Sequence, residues 1–283
     1  MKTSLDCLPC LLKQALSGAR LAAPDDPDVH RAAVMSWAEA FSGLDLDRSP
    51  PDLAGDLYKL LSVTTGHADP FAAYKAESNR RALEMLPRLE KLVQVAPDPL
   101  ETALALAIIG NYLDPGAPHQ VDFARALEME ASDGLAGAEL ESLRDTAASG
   151  GEILILGDNC GEIVLDKLLV AELAKLGAKV AYAVRGAPVL NDATMDDARA
   201  VGMDRLCEVV SSGSEAPGTV MSRCTTEFAE RMRSAGLVLS KGQGNFEALA
   251  GELPGVVFAF KVKCPVVAAH IGCEQGASIF RRL

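Results

Sequence analysis

The stretch that decides the fold is Glu152-Ile-Leu-Ile-Leu-Gly-Asp158-Asn159-Cys-Gly-Glu162. The apolar run at 153–156 is long enough for one buried strand, and a glycine then leads into Asp158 and Asn159. Because ligands bind at the carboxyl ends of strands in an open parallel sheet, a carboxylate beside a carboxamide predicts a site for Mg²⁺ or Mn²⁺. The same pair is also typical of a helix N-cap, so this segment alone leaves both interpretations open.

The pattern on either side of this stretch predicts two regions. Upstream, apolar residues recur at helical spacing between Pro and Gly clusters, which predicts an all-helical region. Downstream, short β-branched runs alternate with helix-length segments, the signature of a parallel sheet flanked by helices. The predicted strands are 153–156, 180–184, 208–211, 237–240 and 256–262. We therefore expect an α/β fold in which a helical domain, 1–148, packs on a Rossmann-like doubly wound sheet, 149–283, that carries the metal-binding catalytic site.

Composition limits the classes of partner. The chain has 283 residues and a net charge of −12, which argues against a nucleic-acid or anionic-membrane surface because either would need a basic patch. We find no signal-peptide pattern and no apolar run long enough to span a bilayer. Seven cysteines, an odd number, fit reduced thiols. We expect a cytoplasmic protein, and the sequence leaves its oligomeric state open.

Polar residues follow the carboxyl ends of the other predicted strands as well. Asp192 offers a third oxygen ligand, so two carboxylates and one amide would leave metal positions for water and substrate; alternatively, Asn191 or Asp192 caps the next helix. Gly242 and Gly244 could let backbone N–H groups approach an anion, although a glycine turn is often structural. Lys261 and Lys263 share a face if the last strand continues, and either could reach a phosphate; the alternative is a solvated strand end.

Histidine and cysteine chemistry is less well supported. The four histidines lack metal-ligand spacing. A structural zinc at Cys7-Leu-Pro-Cys10 would need two more ligands, and a thioredoxin-type motif should follow a strand. We therefore expect Cys7 and Cys10 to face the N-terminal core, with a metal or redox role as the alternative. The remaining cysteines are expected in core positions: Cys160, Cys207, Cys224, Cys264 and Cys273.

Taken in order, these segments resemble the damage-control phosphatases, also known as domain of unknown function 89. The resemblance covers nearly the whole chain, and its CxxC is similar to that of the prokaryotic subfamily. It is carried by Asp6-Cys7-Leu-Pro-Cys10, the 66–70 turn with Lys75 and Asn79, Gly110-Asn111-Tyr-Leu-Asp114, Gly157-Asp-Asn-Cys-Gly161, Arg185-Gly-Ala-Pro with Asn191-Asp192-Ala-Thr194, Lys241-Gly-Gln-Gly-Asn245 and Lys263-Cys264-Pro265.

The resemblance implies a divalent-metal-dependent phosphatase that hydrolyses phosphomonoesters of small metabolites, including damaged or surplus sugar and cofactor phosphates. It implies that Asp158, Asn159 and Asp192 hold the metal, which would be Mn²⁺, Mg²⁺, Co²⁺ or Ni²⁺, and that Lys263 contacts phosphate. Cys160 departs from the alanine or serine of many relatives and puts an oxidisable thiol beside the ligands.

We therefore predict that Asp158 and Lys263 are catalytic and that Asp158, Asn159 and Asp192 are metal ligands. Whether a metal-bound water or Asp158 attacks phosphorus stays open. Two alternatives remain: a Rossmann-like transferase such as a methyltransferase, and a non-catalytic metal or redox module at Cys7 and Cys10. The predicted substrate-binding residues are Asn79, Asn111, Asn191, Gly242, Gly244 and Lys261.

Overall fold

A six-stranded sheet organises the second half of the chain, with strand order β3-β2-β1-β4-β5-β6. The computed structural model describes residues 1–110 and 137–283. Strands β1 to β5 are parallel, and β6 is antiparallel to β5. The strands are β1 Glu152–Leu156, β2 Lys179–Val184, β3 Glu208–Ser211, β4 Leu237–Lys241, β5 Val257–Lys261 and β6 Ser278–Arg282. The five predicted strands and the α/β class are confirmed, whereas β6 was not predicted.

The helices supply the other layers. Before the sheet lie α1 Cys7–Ala22, α2 Pro27–Ala40, α3 Pro50–Thr65, α4 Ala72–Val95, α5 Pro99–Ile109 and α6 Ala138–Ala148. Between the strands lie α7 Glu162–Lys175, α8 Met195–Ala200, α9 Thr226–Ser234, α10 Gln243–Leu249 and α11 Pro265–Ile271. Single 3₁₀ turns occur at Phe41–Gly43, Met203–Arg205 and Met221–Arg223. Among the described residues no helix is long and apolar enough to cross a bilayer.

Local sequence signals explain where several of these helices begin. Asp26 accepts hydrogen bonds from the backbone N–H groups of Asp28 and Val29 at 3.1 Å, and a proline follows it at the first helical position of α2. Asp98 and its following proline begin α5 in the same way. An aspartate N-cap followed by proline is a favoured helix start because it satisfies free backbone donors and fixes φ.

Strand β1 is buried on both faces, as its unbroken apolar sequence predicts. Ile153 and Ile155 belong to one core cluster, whereas Leu154 and Leu156 belong to the cluster on the opposite face. This division follows from the alternation of side chains along a strand and is typical of a parallel sheet covered on both sides. The direction of winding reverses between β1 and β4, and such a switch point is where doubly wound folds bind ligands.

The helical half contributes to two of the cores. Helices α1, α2 and α3 enclose a separate cluster around Trp37, Leu57 and Leu61. Helices α4, α5 and α6 instead share one apolar cluster with β1 and α7, and this cluster crosses the predicted boundary at 148. The division into 1–148 and 149–283 stays a prediction. Helices α5 and α6 pack directly on the sheet, and α4 packs on α5 and α7.

Candidate functional site

Two loops at the carboxyl edge of the sheet bring the predicted ligands together. The loop after β1 carries Asp158 and Asn159, and the loop after β2 carries Asp192. The backbone N–H of Cys160 donates to Asn191 O at 2.8 Å, and that of Ala193 donates to Asp158 O at 2.9 Å. Asn159 and Asp192 therefore face each other as a short antiparallel bridge. All three predicted ligands are buried, with exposed fractions of 6%, 8% and 2% for Asp158, Asn159 and Asp192.

Arg185 lies between the two carboxylates and was not among the predicted site residues. Its Nε donates to Asp192 Oδ2 at 2.6 Å, and its Nη2 lies 3.5 Å from Asp158 Oδ1. Nη2 is buried and makes no hydrogen bond among the described atoms. Arg185 directly follows β2. The rule that predicted a role for Asp158, namely that site residues lie at the carboxyl ends of strands, would therefore also have identified Arg185.

A chain of buried polar groups supports Asn159 from below. Its Nδ2 donates to Asp158 Oδ2 at 3.0 Å and to Glu162 Oε1 at 2.8 Å. Glu162 Oε2 lies 3.8 Å from Lys241 Nζ, which donates to Asp166 Oδ1 and to Ala107 O, both at 2.8 Å. The chain ends where Tyr182 donates to Asp166 Oδ2 at 2.7 Å. Local sequence patterns do not reveal this chain of contacts, because Lys241 and Ala107 lie far from residues 158–166 in the sequence.

Counting these buried charges shows a surplus of negative charge. Four carboxylates, those of Asp158, Glu162, Asp166 and Asp192, face two cations, those of Arg185 and Lys241. Burial, reinforced by the nearby Asp158 carboxylate, raises the pKa of Glu162 to about 7. Burial also raises the pKa of Asp192 to about 7, with Asp158 adding to the rise and Arg185 opposing it. Each shift is the expected response of a buried carboxylate that lies near another carboxylate.

The donor set fits a hard divalent cation. Two carboxylates and one carboxamide are oxygen ligands of the type that Mg²⁺ and Mn²⁺ prefer. With all four buried carboxylates ionised, the surplus of two negative charges equals the charge of one such ion. Within residues 1–110 and 137–283, no group of three or more His, Cys, Asp or Glu side chains is arranged to hold a metal. The candidate set is consistent with this finding, because it contains only two side chains of these types, those of Asp158 and Asp192, and its third member is an asparagine.

A cavity of about 1250 Å³ opens above these ligands. Its floor includes Asp158, Asn159 and Asp192, and one wall is formed by α1. This volume is larger than a phosphate group alone requires and lies above the range of about 300–1,000 Å³ that is typical of small-molecule sites. Four of the other predicted residues line it: Asn191, Gly244, Lys261 and Lys263.

The two lysines reach the cavity from different backbone settings. Strand β5 ends at Lys261, so Val262 and Lys263 lie beyond it. Lys261 and Lys263 were predicted to share a face only if the strand continued through both residues, and it does not. The backbone N–H of Lys263 donates to Gln243 Oε1 at 2.7 Å, and its side chain is exposed. Lys261 Nζ donates to Gly276 O at 3.5 Å.

Gly242 and Asn79 serve the site from outside the cavity lining. Gly242 has φ +81°, and a Cβ at this position would overlap the carboxylate of Asp158. The glycine is therefore required for close approach to Asp158. The side chain of Asn79 accepts from the backbone N–H of Gly161 at 2.7 Å, which fixes the loop that carries Asp158 and Asn159. Asn111 lies outside the described residues.

The CxxC prediction is wrong in its placement. Cys10 is exposed and Cys7 is half-buried, and both line the cavity together with Cys264 instead of facing the N-terminal core. The buried stripe of α1 begins only at Leu11. Cys10 is one residue from it and so points about 100° away around the helix, while Cys7 lies where α1 begins, beyond the end of the core. Partial burial raises the pKa of both thiols.

The other cysteines follow the prediction to different degrees. All seven lie within the described residues and none forms a disulfide. Cys160 is buried, as predicted. Four are half-buried at the margins of the apolar clusters instead of inside them: Cys207, Cys224, Cys264 and Cys273.

Comparisons with known proteins cover the whole chain. Residues 3–279 match the family model of the damage-control phosphatase ARMT1-like domain. The chain is 32% identical to a damage-control phosphatase of Archaeoglobus fulgidus over 285 residues, 98% of this chain and 97% of that one. It is 30% identical to a damage-control phosphatase of Pyrococcus horikoshii over 290 residues, 100% of this chain and 98% of that one. A crystal structure of a DUF89 family protein from Pyrococcus horikoshii superposes with a TM-score of 0.87 at 29% identity, covering 100% of this chain and 99% of that one.

Proposed function

The chain belongs to the ARMT1-like damage-control phosphatase family and is a phosphatase, and from this premise we propose that it hydrolyses phosphomonoesters of small metabolites at a divalent-metal site on the carboxyl edge of its sheet. The substrates would be damaged or surplus sugar phosphates or cofactor phosphates. The observation that carries the proposal is the surplus of two buried negative charges around three oxygen ligands at the floor of a large cavity. No comparable observation favours a transferase or a redox module.

We assign the metal to Asp158, Asn159 and Asp192. A divalent ion held there, as Mn²⁺, Mg²⁺, Co²⁺ or Ni²⁺, would supply Lewis-acid polarisation of the phosphoryl oxygens. Arg185 donates to Asp192 at 2.6 Å and so orients this carboxylate. Because a guanidinium stays protonated at any physiological pH, Arg185 keeps this role whether or not the metal is bound.

Lys263 is assigned to the substrate phosphate. Lys263 is exposed and lines the cavity. A cation at this place would offset charge that develops on the equatorial oxygens during transfer. Lys261 and Asn191, on the same cavity, are assigned to substrate binding, and Gly244 supports the cavity wall.

The leaving group is assigned to the wall formed by α1 and its neighbours. This wall includes apolar side chains, such as those of Leu11 and Phe71, and polar ones, such as those of Gln14 and Ser17. We also propose that the protein is cytoplasmic and has no nucleic-acid or anionic-membrane partner. Two observations support this proposal: the net charge of −12 and the absence of disulfides among the seven cysteines.

A phosphate-release screen tests the function. Purified protein, stripped of metal with a chelator, is assayed on a panel of phosphorylated metabolites with and without Mn²⁺, Mg²⁺, Co²⁺ and Ni²⁺. We expect release only with added metal, and we expect Asp158→Asn and Asp192→Asn to abolish it while the far-ultraviolet circular dichroism stays unchanged. Full metal-dependent activity in both variants would remove the assigned site from the reaction.

A further inference from the structure

Asn159 differs from the other two assigned ligands because it is neutral and two-sided. An aspartate presents oxygen to a metal in either orientation, whereas a carboxamide presents oxygen in one orientation and N–H₂ in the other. Only the oxygen can bind a cation. The site therefore depends on whatever decides which side of the Asn159 amide faces the cavity.

The hydrogen bonds of Asn159 decide this. Both N–H bonds are directed at carboxylate oxygens, Glu162 Oε1 at 2.8 Å and Asp158 Oδ2 at 3.0 Å. If the amide were turned over, Oδ1 would face those two oxygens, and two charge-assisted hydrogen bonds would be replaced by repulsion. Orientation of an amide is assigned from such contacts, and here they leave Oδ1 toward the cavity.

Glu162 is held firmly enough to act as this reference point. It is the first residue of α7 and is 3% exposed. Its second oxygen lies 3.8 Å from Lys241 Nζ, and Lys241 is itself fixed by Asp166 and by the carbonyl of Ala107 at 2.8 Å. Glu162 therefore has little room to turn away from Asn159.

We infer that Glu162 is a positioning residue of the metal site, which keeps the Asn159 amide oxygen directed at the cation by accepting a hydrogen bond from its Nδ2. Glu162 is not assigned a bond to the metal or to the substrate. The inference rests on the proposed function, because it concerns a ligand of the proposed metal site.

The central test is Glu162→Gln, which keeps the size of the side chain but offers Asn159 both a donor and an acceptor. The preference for one amide orientation is then weakened, because only Asp158 Oδ2 still requires the amide N–H₂ as its donor. We expect Mn²⁺ affinity, measured by calorimetric titration of the metal-free protein, to fall on the order of 10–100-fold, the usual effect of removing a partner of a metal ligand. The circular dichroism of the metal-free variant should match the parent.

A double-mutant cycle separates orientation from general structural damage. In an Asn159→Asp background the ligand has two equivalent oxygens and needs no orientation. Glu162→Gln should therefore cost much less Mn²⁺ affinity in this background than in the parent. An equal cost in both backgrounds would overturn the inference.

Glu247→Gln is the matched control for charge. Glu247 is another carboxylate on the same cavity, and its Oε1 accepts from Gln243 Nε2 at 2.8 Å instead of from Asn159. The substitution removes the same charge, and we expect Mn²⁺ affinity close to that of the parent. A loss as large as that of Glu162→Gln would show that general charge and not orientation is responsible.

Asp158→Asn distinguishes failure of the inference from failure of the proposed function. If Mn²⁺ binds the parent, is lost in Asp158→Asn and still binds Glu162→Gln as in the parent, the metal site stands and the inference is wrong. If Asp158→Asn binds Mn²⁺ as well as the parent, the proposed site itself is wrong.

One measurement needs no variant to fold. In labelled parent protein, NMR should show the Asn159 side-chain N–H₂ protons protected from exchange and its Cγ resonance shifted when Mg²⁺ is added. Rapid exchange of both protons, or a Cγ resonance that Mg²⁺ leaves unchanged, would contradict the assigned orientation.

Discussion

Replacing Gly242 by alanine tests how closely the sheet edge is fitted around Asp158. Gly242 has φ +81° and ψ +153°, a backbone region open almost only to glycine, and a side chain there costs about 1–3 kcal/mol. The new Cβ would also overlap the Asp158 carboxylate, and overpacking of this kind costs about 1–3 kcal/mol more. We expect Gly242→Ala to lower the free energy of unfolding by about 2–6 kcal/mol in total.

The same substitution should damage the metal site, because the cheapest relief of the overlap is to move the Asp158 side chain. Gly66→Ala is the control. Gly66 has φ +72°, yet a Cβ there would meet nothing within 4 Å, so only the left-handed backbone cost of about 1–2 kcal/mol applies. Urea unfolding and Mn²⁺ titration are measured on both variants. If the two lose equal stability and both bind Mn²⁺ as the parent does, Asp158 does not depend on the glycine.

Three further predictions concern other parts of the cavity. Lys263→Met should lower turnover on the order of 10²-fold with little change in Mn²⁺ affinity; if Lys261→Met has the larger effect on steady-state turnover, the phosphate contact belongs to Lys261. A Cys7→Ser, Cys10→Ser double variant should keep its turnover per folded molecule because the assigned ligands are oxygens, and a thermally stable but inactive double variant would place the thiols in the reaction. Burial raises the pKa of Glu247 from 4.5 to about 7, so between these pH values the unfolded chain loses this proton first and the free energy of unfolding of the parent falls as pH rises. Urea unfolding across this pH range should show a weaker fall for Glu247→Gln. An equal fall of the free energy of unfolding with pH in the parent and in Glu247→Gln would contradict the pKa shift.

Much of the fold and the assigned ligand set could be predicted from local sequence. Strand β1 was found because a parallel strand covered on both faces must be apolar throughout. Asp158 and Asp192 were predicted as ligands because ligands gather at strand ends, and the structure brings the loops that carry them together. Strand β6, Ser278–Arg282, was missed because it lies at the sheet edge and only Ile279 within it is buried, so it shows no apolar run.

The support of the site could not be predicted in this way. Lys241 meets Asp166 across 75 positions of sequence and Ala107 across 134, and no local pattern links such partners. Asn79 was expected to contact substrate, but its side chain accepts from Gly161 N, because α4 packs beside the loop after β1. The placement of Cys7 and Cys10 depended on where the core beneath α1 ends, which helical periodicity alone does not define.

The arrangement of the buried charges explains why the site suits an exchangeable cation. Arg185 is engaged with Asp192 at 2.6 Å, and Lys241 is engaged with Asp166 and a backbone carbonyl at 2.8 Å. Each fixed cation is thus closest to a different carboxylate, and the more distant contacts, 3.5 Å to Asp158 and 3.8 Å to Glu162, leave those two carboxylates under-compensated. They are also the two groups that hold the Asn159 amide. The protein's own cations therefore leave Asp158 and Glu162 without a close counter-ion. A divalent ion that binds the folded chain would stabilise it in proportion to the logarithm of its concentration.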